Sequence, residues 1–399
     1  MKRASSKLLL PFLLSVLMAG LLPMQGATAP AANELSVRIK GRHFIDADGR
    51  VLRLRGVNYS GFEFVAIQGW NPADPSGAQA GQAGGPNWRA IRSWHANTVR
   101  LLLNEASWLG ARCVDTSGVS RKADPGGNYQ AAIIEQVRQA TAAGLYVILD
   151  LHWTAPGDTC PMLQMQMANR DHSLAFWTSV ARQFGRQPAV LFELFNEPFM
   201  NFEFTGDAWA HVMHGNGGQF SGYPATSGSG NWQTIKKPWA IASYQAMLDA
   251  VRATGASNVV LVGSMEYCQD LGGWLAHRPK DPLGQMAAVW HPYPTFGKTW
   301  GSSAYGQPNY APQVFGDVKG ILAAGIPVLA TETGDRNTAG TVGAPLVGSV
   351  TRWADQQGIG VIGFTWNVWD APDNVLIKDA NGTPTDGYGV QFRDWLQRD

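Results

Sequence analysis

The chain has 399 residues, a formal net charge of +1 and only 15% charged residues, below the roughly one quarter usual for globular proteins. That near-neutral balance excludes a basic footprint for nucleic acid or for an anionic membrane surface. Hydrophobic residues make up 45%, ample for a large core, and barrels of alternating strands and helices routinely exceed two hundred residues as one domain.

The first element is a leader. Lys2, Arg3 and Lys7 precede an apolar run from Leu8 to Met24, and the small residues Gly26-Ala27-Thr28-Ala29 follow. This is the layout of a secretory signal peptide. Residues 1–32 are expected to be removed, with cleavage between Ala27 and Ala32. Residues 33–399 would then act as one secreted domain (periplasmic or extracellular), a monomer without membrane attachment. An uncleaved anchor helix is the alternative; the shortness of the run and Pro11 and Pro23 speak against it. Export favours disulfide formation. Of the three cysteines, Cys113 and Cys160 both follow predicted strands and form the preferred pair, leaving Cys268 a free thiol.

Next comes a β-hairpin. Val37–Lys40 and Val51–Leu54 alternate apolar and polar residues around the turn Asp46-Ala47-Asp48-Gly49. Then strands and helices alternate. Arg53–Asn58 reads as the first strand and Trp88–His95 as a helix. Asn97–Asn104 is the second strand. Tyr129, Ile133, Val137 and Ala140 recur at helical spacing until Gly144. Leu145–Trp153 is the third strand, Ser173–Phe184 its helix, and Ala189–Asn196 the fourth strand. Trp239–Ala253 reads as a helix, Asn258–Ser264 as the fifth strand and Met286–Tyr293 as the sixth. A helix ending near Ala324, the strand Ile326–Thr331, the helix Leu346–Gln357 and the strand Ile359–Trp366 follow. A last helix spans Gln391–Asp399. Eight short apolar strands alternating with helices predict a (β/α)8 TIM barrel. An open doubly wound sheet is the competitor, weakened because no G-x-G-x-x-G follows the first strand. Two long loops, Gly61–Pro86 and Phe199–Pro238, follow strands and so belong to the catalytic face.

Strand ends are where a barrel gathers its chemistry. Arg100 lies on the second strand. The third ends in Asp150-Leu151-His152-Trp153 and the fourth in Asn196-Glu197-Pro198. The sixth ends in Trp290-His291-Pro292-Tyr293, the seventh in Thr331-Glu332-Thr333 and the eighth in Trp366-Asn367. Glu197 and Glu332 would face each other across the mouth. Paired carboxylates are what glycoside hydrolysis needs, one to protonate the leaving oxygen and one to attack or to activate water. Glu193 shares a strand face with Glu197 and reads as a buried structural carboxylate.

This set resembles glycoside hydrolase family 5, the (β/α)8 cellulases, mannanases and relatives. The stretch LFELFNEP is similar to the family signature around its acid/base, which gives that role to Glu197. Glu332, in VLATETG, matches the nucleophile. Arg100, His152, Asn196, His291, Tyr293 and Trp366 match further shared positions and are expected to bind substrate or tune the pair. The resemblance implies a retaining double displacement. Glu332 attacks while Glu197, starting protonated, donates its proton; Glu197 then serves as base toward water. Tyr293 and Arg100 are the expected donors to Glu332, and His291 the expected neighbour of Glu197. Asn196 is expected on the sugar 2-hydroxyl and Trp366 under the sugar as a floor. No metal and no cofactor are required.

The activity expected is a secreted endo-β-1,4-glucanase acting on a β-linked polysaccharide or oligosaccharide. Trp70, Trp108, Trp153, Trp274 and Trp300 are candidates to line its cleft. An endo-β-mannanase or xyloglucan-type activity is the nearest rival, because loops set the substrate. A non-catalytic sugar-binding barrel would need a broken carboxylate pair. A serine esterase would need G-x-S-x-G, which is absent from the sequence.

Overall fold

The structure is a computed structural model. It describes residues 35–72, 85–199, 206–215, 239–293, 310–335, 345–369 and 374–398. The expected leader, Trp300 and parts of both long loops lie outside these residues.

Three short strands come first: β1 (Arg38–Lys40), β2 (His43–Ile45) and β3 (Val51–Leu52). They form an antiparallel sheet in that order. The expected hairpin therefore has an extra central strand. Gly41, at φ +57°, makes the tight turn that creates it. Val37 and Phe44 of this segment pack with Leu54, Tyr146 and Leu191, and Val37 N–H donates to the Pro188 carbonyl at 2.9 Å. The sheet thus covers the N-terminal end of the larger structure.

That larger structure is a closed barrel. It contains β4 (Gly56–Tyr59), β5 (Thr98–Asn104), β8 (Tyr146–Trp153), β9 (Val190–Glu193), β10 (Val260–Val262), β11 (Met286–Trp290), β12 (Val328–Ala330) and β13 (Gly360–Gly363). Every pairing is parallel, and β13 closes onto β4. A small hairpin of β6 (Arg112–Val114) and β7 (Ser120–Lys122) is inserted after β5. Cys113, in β6, is disulfide-bonded to Cys160, and Cys268 is a buried free thiol.

The barrel interior changes character along its axis. Ile148, Leu191, Leu261, Val289, Leu329 and Ile362 form one apolar cluster. Two residues further along four of those segments stand Asp150, Glu193, His291 and Thr331, all fully buried. Side chains two apart share a strand face, so one step toward the C-terminal end exchanges an apolar layer for an ionisable one. The outer faces of the strands pack on helices such as Tyr129–Ala142 and Ser173–Phe184 through Val147, Leu149, Ile133, Phe176 and Trp177.

One helix starts later than its sequence suggests. It spans Tyr244–Arg252, because Ser243 caps it by accepting from the Ala246 N–H, and Ile241 is drawn into a bridge with Asn169 instead.

Candidate active site

Arg100 is the hub of the polar layer. It projects inward from β5 and is wholly buried. Its Nε and one terminal nitrogen grip both oxygens of Glu193 at 2.9 and 3.0 Å. The same nitrogen donates to Asn196 Oδ1 at 2.7 Å, and the other donates to Asn58 Oδ1 at 2.9 Å and Glu332 Oε1 at 2.6 Å. Asp150 Oδ2 lies 3.0 Å away. A planar fork of five donors suits such a cluster. Three carboxylates around one cation do not balance, however. Burial, aided by the charges of Glu193 and Glu197, drives the Asp150 carboxyl well above its ordinary range despite Arg100. Glu193 goes the other way: burial opposes its ionisation, but Arg100 and His291 overcome that and hold it low.

Glu332 follows β12 and is 4% exposed. Its second oxygen accepts from Tyr293 Oη at 2.7 Å. Burial first, then the Glu332 charge, pushes the Tyr293 phenol far above its usual range, which keeps it a donor. Both oxygens of Glu332 therefore meet donors fixed on β5 and at the end of β11.

Glu197 lies in the segment after β9. Its Oε1 is 2.8 Å from His291 Nδ1, and its Oε2 accepts from Gln164 Nε2 at 3.0 Å. The direction of the His291 contacts follows from a chain behind it. Thr331 Oγ1 donates its single proton to Glu193 at 2.9 Å, so it must accept from His291 Nε2–H, also at 2.9 Å. Burial would lower the His291 value, yet Glu332, Glu193 and Glu197 together push it up to about 9. Glu197 shows the reverse: burial works against its charge, and His291 and Gln164 still hold the carboxyl below its ordinary range. Both shifts favour the imidazolium form of His291 and the anionic form of Glu197. The family resemblance implies the opposite starting state, a protonated Glu197, which the approach of the Glu332 carboxylate would favour. The imidazolium contact outweighs that approach.

One oxygen of Glu197, one of Glu332 and one nitrogen of His291 lie within 4.8 Å of one another. Such a trio could hold a cation. Both oxygens of Glu332 and both nitrogens of His291 are already engaged in hydrogen bonds, which suits proton transfer better.

The remaining expected residues divide. His152 closes the site from β8, its Nδ1 2.7 Å from Asp150 Oδ2; burial lowers its value and keeps it neutral. Asn196 is buried with its amide oxygen committed to Arg100, so its NH2 group is what remains for a ligand. Trp366 departs from expectation. It is 0% exposed and packs edge-on against Trp94 at 4.7 Å, behind the barrel wall. The chain turns before it, and its N–H donates to the Asn58 carbonyl at 2.7 Å. Phe364, two residues earlier and half-buried, lies instead beside the site, its N–H bonded to the Thr333 carbonyl at 2.8 Å. Trp108 and Trp274 are also core residues. The first donates to Ser179 and the second to the Val262 carbonyl. Trp70, 51% exposed, and the half-buried Trp153 remain as cleft candidates. Sequence reasoning missed Gln164, Phe364 and the buried Glu63, whose carboxylate accepts from Ser60 and from the Gly61 N–H. Only Phe364 carried a signal, since it continues the inward face of Ile362 by period two.

An eight-stranded parallel barrel with two carboxylates and their donors at its C-terminal mouth defines a class of enzyme-like scaffolds. The particular family comes from sequence: the Cellulase (glycosyl hydrolase family 5) model matches residues 58–371, and the chain belongs to that family. An endoglucanase from Clostridium saccharobutylicum is 21% identical over 369 residues, 91% of this chain; the chain spans 63% of that relative's length. The β-glucanase SdGluc5_26A from Saccharophagus degradans, solved with cellotetraose, superposes with a TM-score of 0.59 at 21% identity, covering 92% of this chain and 94% of that one. A mannanase catalytic domain from Streptomyces sp. SirexAA-E superposes with a TM-score of 0.54 at 17% identity, covering 89% and 90%.

Proposed function

We propose that this protein is a secreted, retaining endo-β-1,4-glucanase. The observation that carries the reading is the pair itself. One oxygen of Glu197 and one of Glu332 lie within 4.8 Å, in keeping with the roughly 5–5.5 Å carboxyl separation of retaining sites. Glu332, gripped by Arg100 and Tyr293, attacks the anomeric carbon. The proton shared by His291 and Glu197 passes through Glu197 to the leaving oxygen. Glu197, as an anion again, then activates water against the glycosyl-enzyme. Asn196 offers its NH2 to the sugar 2-hydroxyl, and Phe364 rather than Trp366 supplies the ring beneath the sugar. Export rests on the leader-like run in residues 1–32. Among the described residues no helix is long and apolar enough to cross a membrane.

A second reading, an endo-β-mannanase, is kept because a mannanase shares the fold. The deciding experiment assays the wild type with Glu332→Gln and Glu197→Gln on carboxymethyl cellulose, lichenan, xyloglucan and mannan. The expected result is cleavage of the β-1,4-glucans, abolished in Glu332→Gln. Full activity in Glu332→Gln would sink the mechanism, and cleavage of mannan alone would replace the substrate.

A further inference from the structure

The loop after β8 brings a group to Glu197 that the barrel itself does not supply. Gln164 Nε2 donates to Glu197 Oε2 at 3.0 Å and leans on the Glu197 carbonyl at 3.4 Å. A carbonyl only accepts, so the amide is oriented with its NH2 toward Glu197. Two residues on, the Gln166 carbonyl accepts from Phe199 N–H at 3.1 Å, which ties the loop alongside the segment carrying Glu197. On its other side the loop is pinned by the Cys113–Cys160 disulfide, by Cys160 N–H to the Val114 carbonyl at 2.9 Å, and by Asn104 Nδ2 to the Pro161 carbonyl at 2.8 Å. Gln164 thus hangs between two anchored points. We propose that Gln164 is a positioning residue for the acid/base: it holds Oε2 in place and favours the anionic form of Glu197 that the second chemical step requires.

This inference rests on reading Glu197 as the acid/base. The titratable groups that face Glu197 are Asp150 and His152 from β8, Cys268, His291, Tyr293 and Glu332. All remain when Gln164 alone is changed. A donor to the charged form lowers a carboxyl's pKa, so its removal moves the Glu197 transitions upward. One hydrogen bond corresponds to a shift of about half a pH unit to one unit.

The test uses Gln164→Met, which keeps the volume and removes the amide, and Gln164→Glu, which places a like charge there. With an activated aryl cellobioside, whose kcat reports the base step, the acid limb of kcat is expected to move up by about half a unit to one unit in Gln164→Met, and further in Gln164→Glu. With a cello-oligosaccharide, the alkaline limb of kcat/KM, set by the proton on His291, stays in place in Gln164→Met and moves up in Gln164→Glu, whose added negative charge favours the imidazolium. A merely structural role would leave the acid limb in place and lower all rates together. An unmoved acid limb in both variants, or equal losses on both substrates, would overturn the proposal. Glu197→Gln, run alongside, separates the two ideas. If it keeps wild-type activity on the oligosaccharide, the acid/base reading itself fails. If it is inactive while the Gln164 profiles stay put, only the role of Gln164 fails.

Discussion

The two glutamates of the site are held in contrasting ways. Glu332 takes both donors from the barrel, Arg100 on β5 and Tyr293 at the end of β11. Glu197, whose side chain is 15% exposed against 5% for Glu332, takes one partner from the barrel and one from a disulfide-anchored loop. The difference matches the work assigned to each. A nucleophile needs one charge state and a fixed position, which a rigid layer of strands provides. An acid/base must gain and lose a proton in every turnover. A histidine that shares the proton and a loop donor that can yield allow both states.

If that division holds, damage to the two sides differs in size and kind. The largest effect is expected for Glu332→Gln, a loss on the order of 10^4-fold or more in kcat on every substrate, activated or not. Glu197→Gln should lose about 10^2–10^4-fold on cello-oligosaccharides and far less in kcat/KM on an aryl glycoside that departs without a proton. Equal losses on both substrates would break the contrast. Arg100→Met comes next. It leaves Glu193, Asn196 and Glu332 without their common donor, and stranding buried charges of this kind costs about 3–5 kcal/mol. A large fall in the thermal midpoint alongside lost activity is expected, whereas Gln164→Met should leave the midpoint nearly unmoved.

Much of this was legible in the chain. Eight apolar runs with period-two faces define the strands, and the carboxylates at the ends of two of them define the pair. What escaped depends on chain paths that no local pattern encodes. Strand β2 is three residues long and owes its existence to the turn at Gly41. Trp366 was placed at the site by the family resemblance, but the strand has ended at Gly363 and the chain turns before that ring. Trp108 and Trp274 follow strand ends in sequence but fold back onto helices and the outer barrel wall. Gln164 lies in a stretch without periodicity, and its meeting with Glu197 across 33 residues is set by the disulfide and by backbone contacts of the loop. The proton on His291 was also out of reach, since it depends on three carboxylates converging on one ring.

That proton gives the smallest and most discriminating prediction. His291 rises from 6.5 unfolded to about 9 folded, chiefly through Glu332, Glu193 and Glu197 acting against burial. A group whose folded value is raised stabilises fully below its unfolded value, and that stabilisation fades as pH rises through the folded value. The contribution is on the order of 3 kcal/mol and is lost between about pH 6.5 and pH 9. Glu105 also titrates: burial raises it to about 7 in the fold, so its own loss falls mainly between about pH 4.5 and pH 7. Asp150 and Glu63, both raised by burial, also lose stability as pH rises, so the share of His291 is the difference from a variant that lacks its ring. Thermal midpoints measured from about pH 7.5 to 9 should fall in the wild type and fall less in His291→Gln. The same variant should lose the alkaline limb of kcat/KM near pH 9, because Glu197 no longer shares its proton with a ring. A wild-type midpoint constant from about pH 7.5 to 9 would place the proton on Glu197 and remove the asymmetry between the two glutamates.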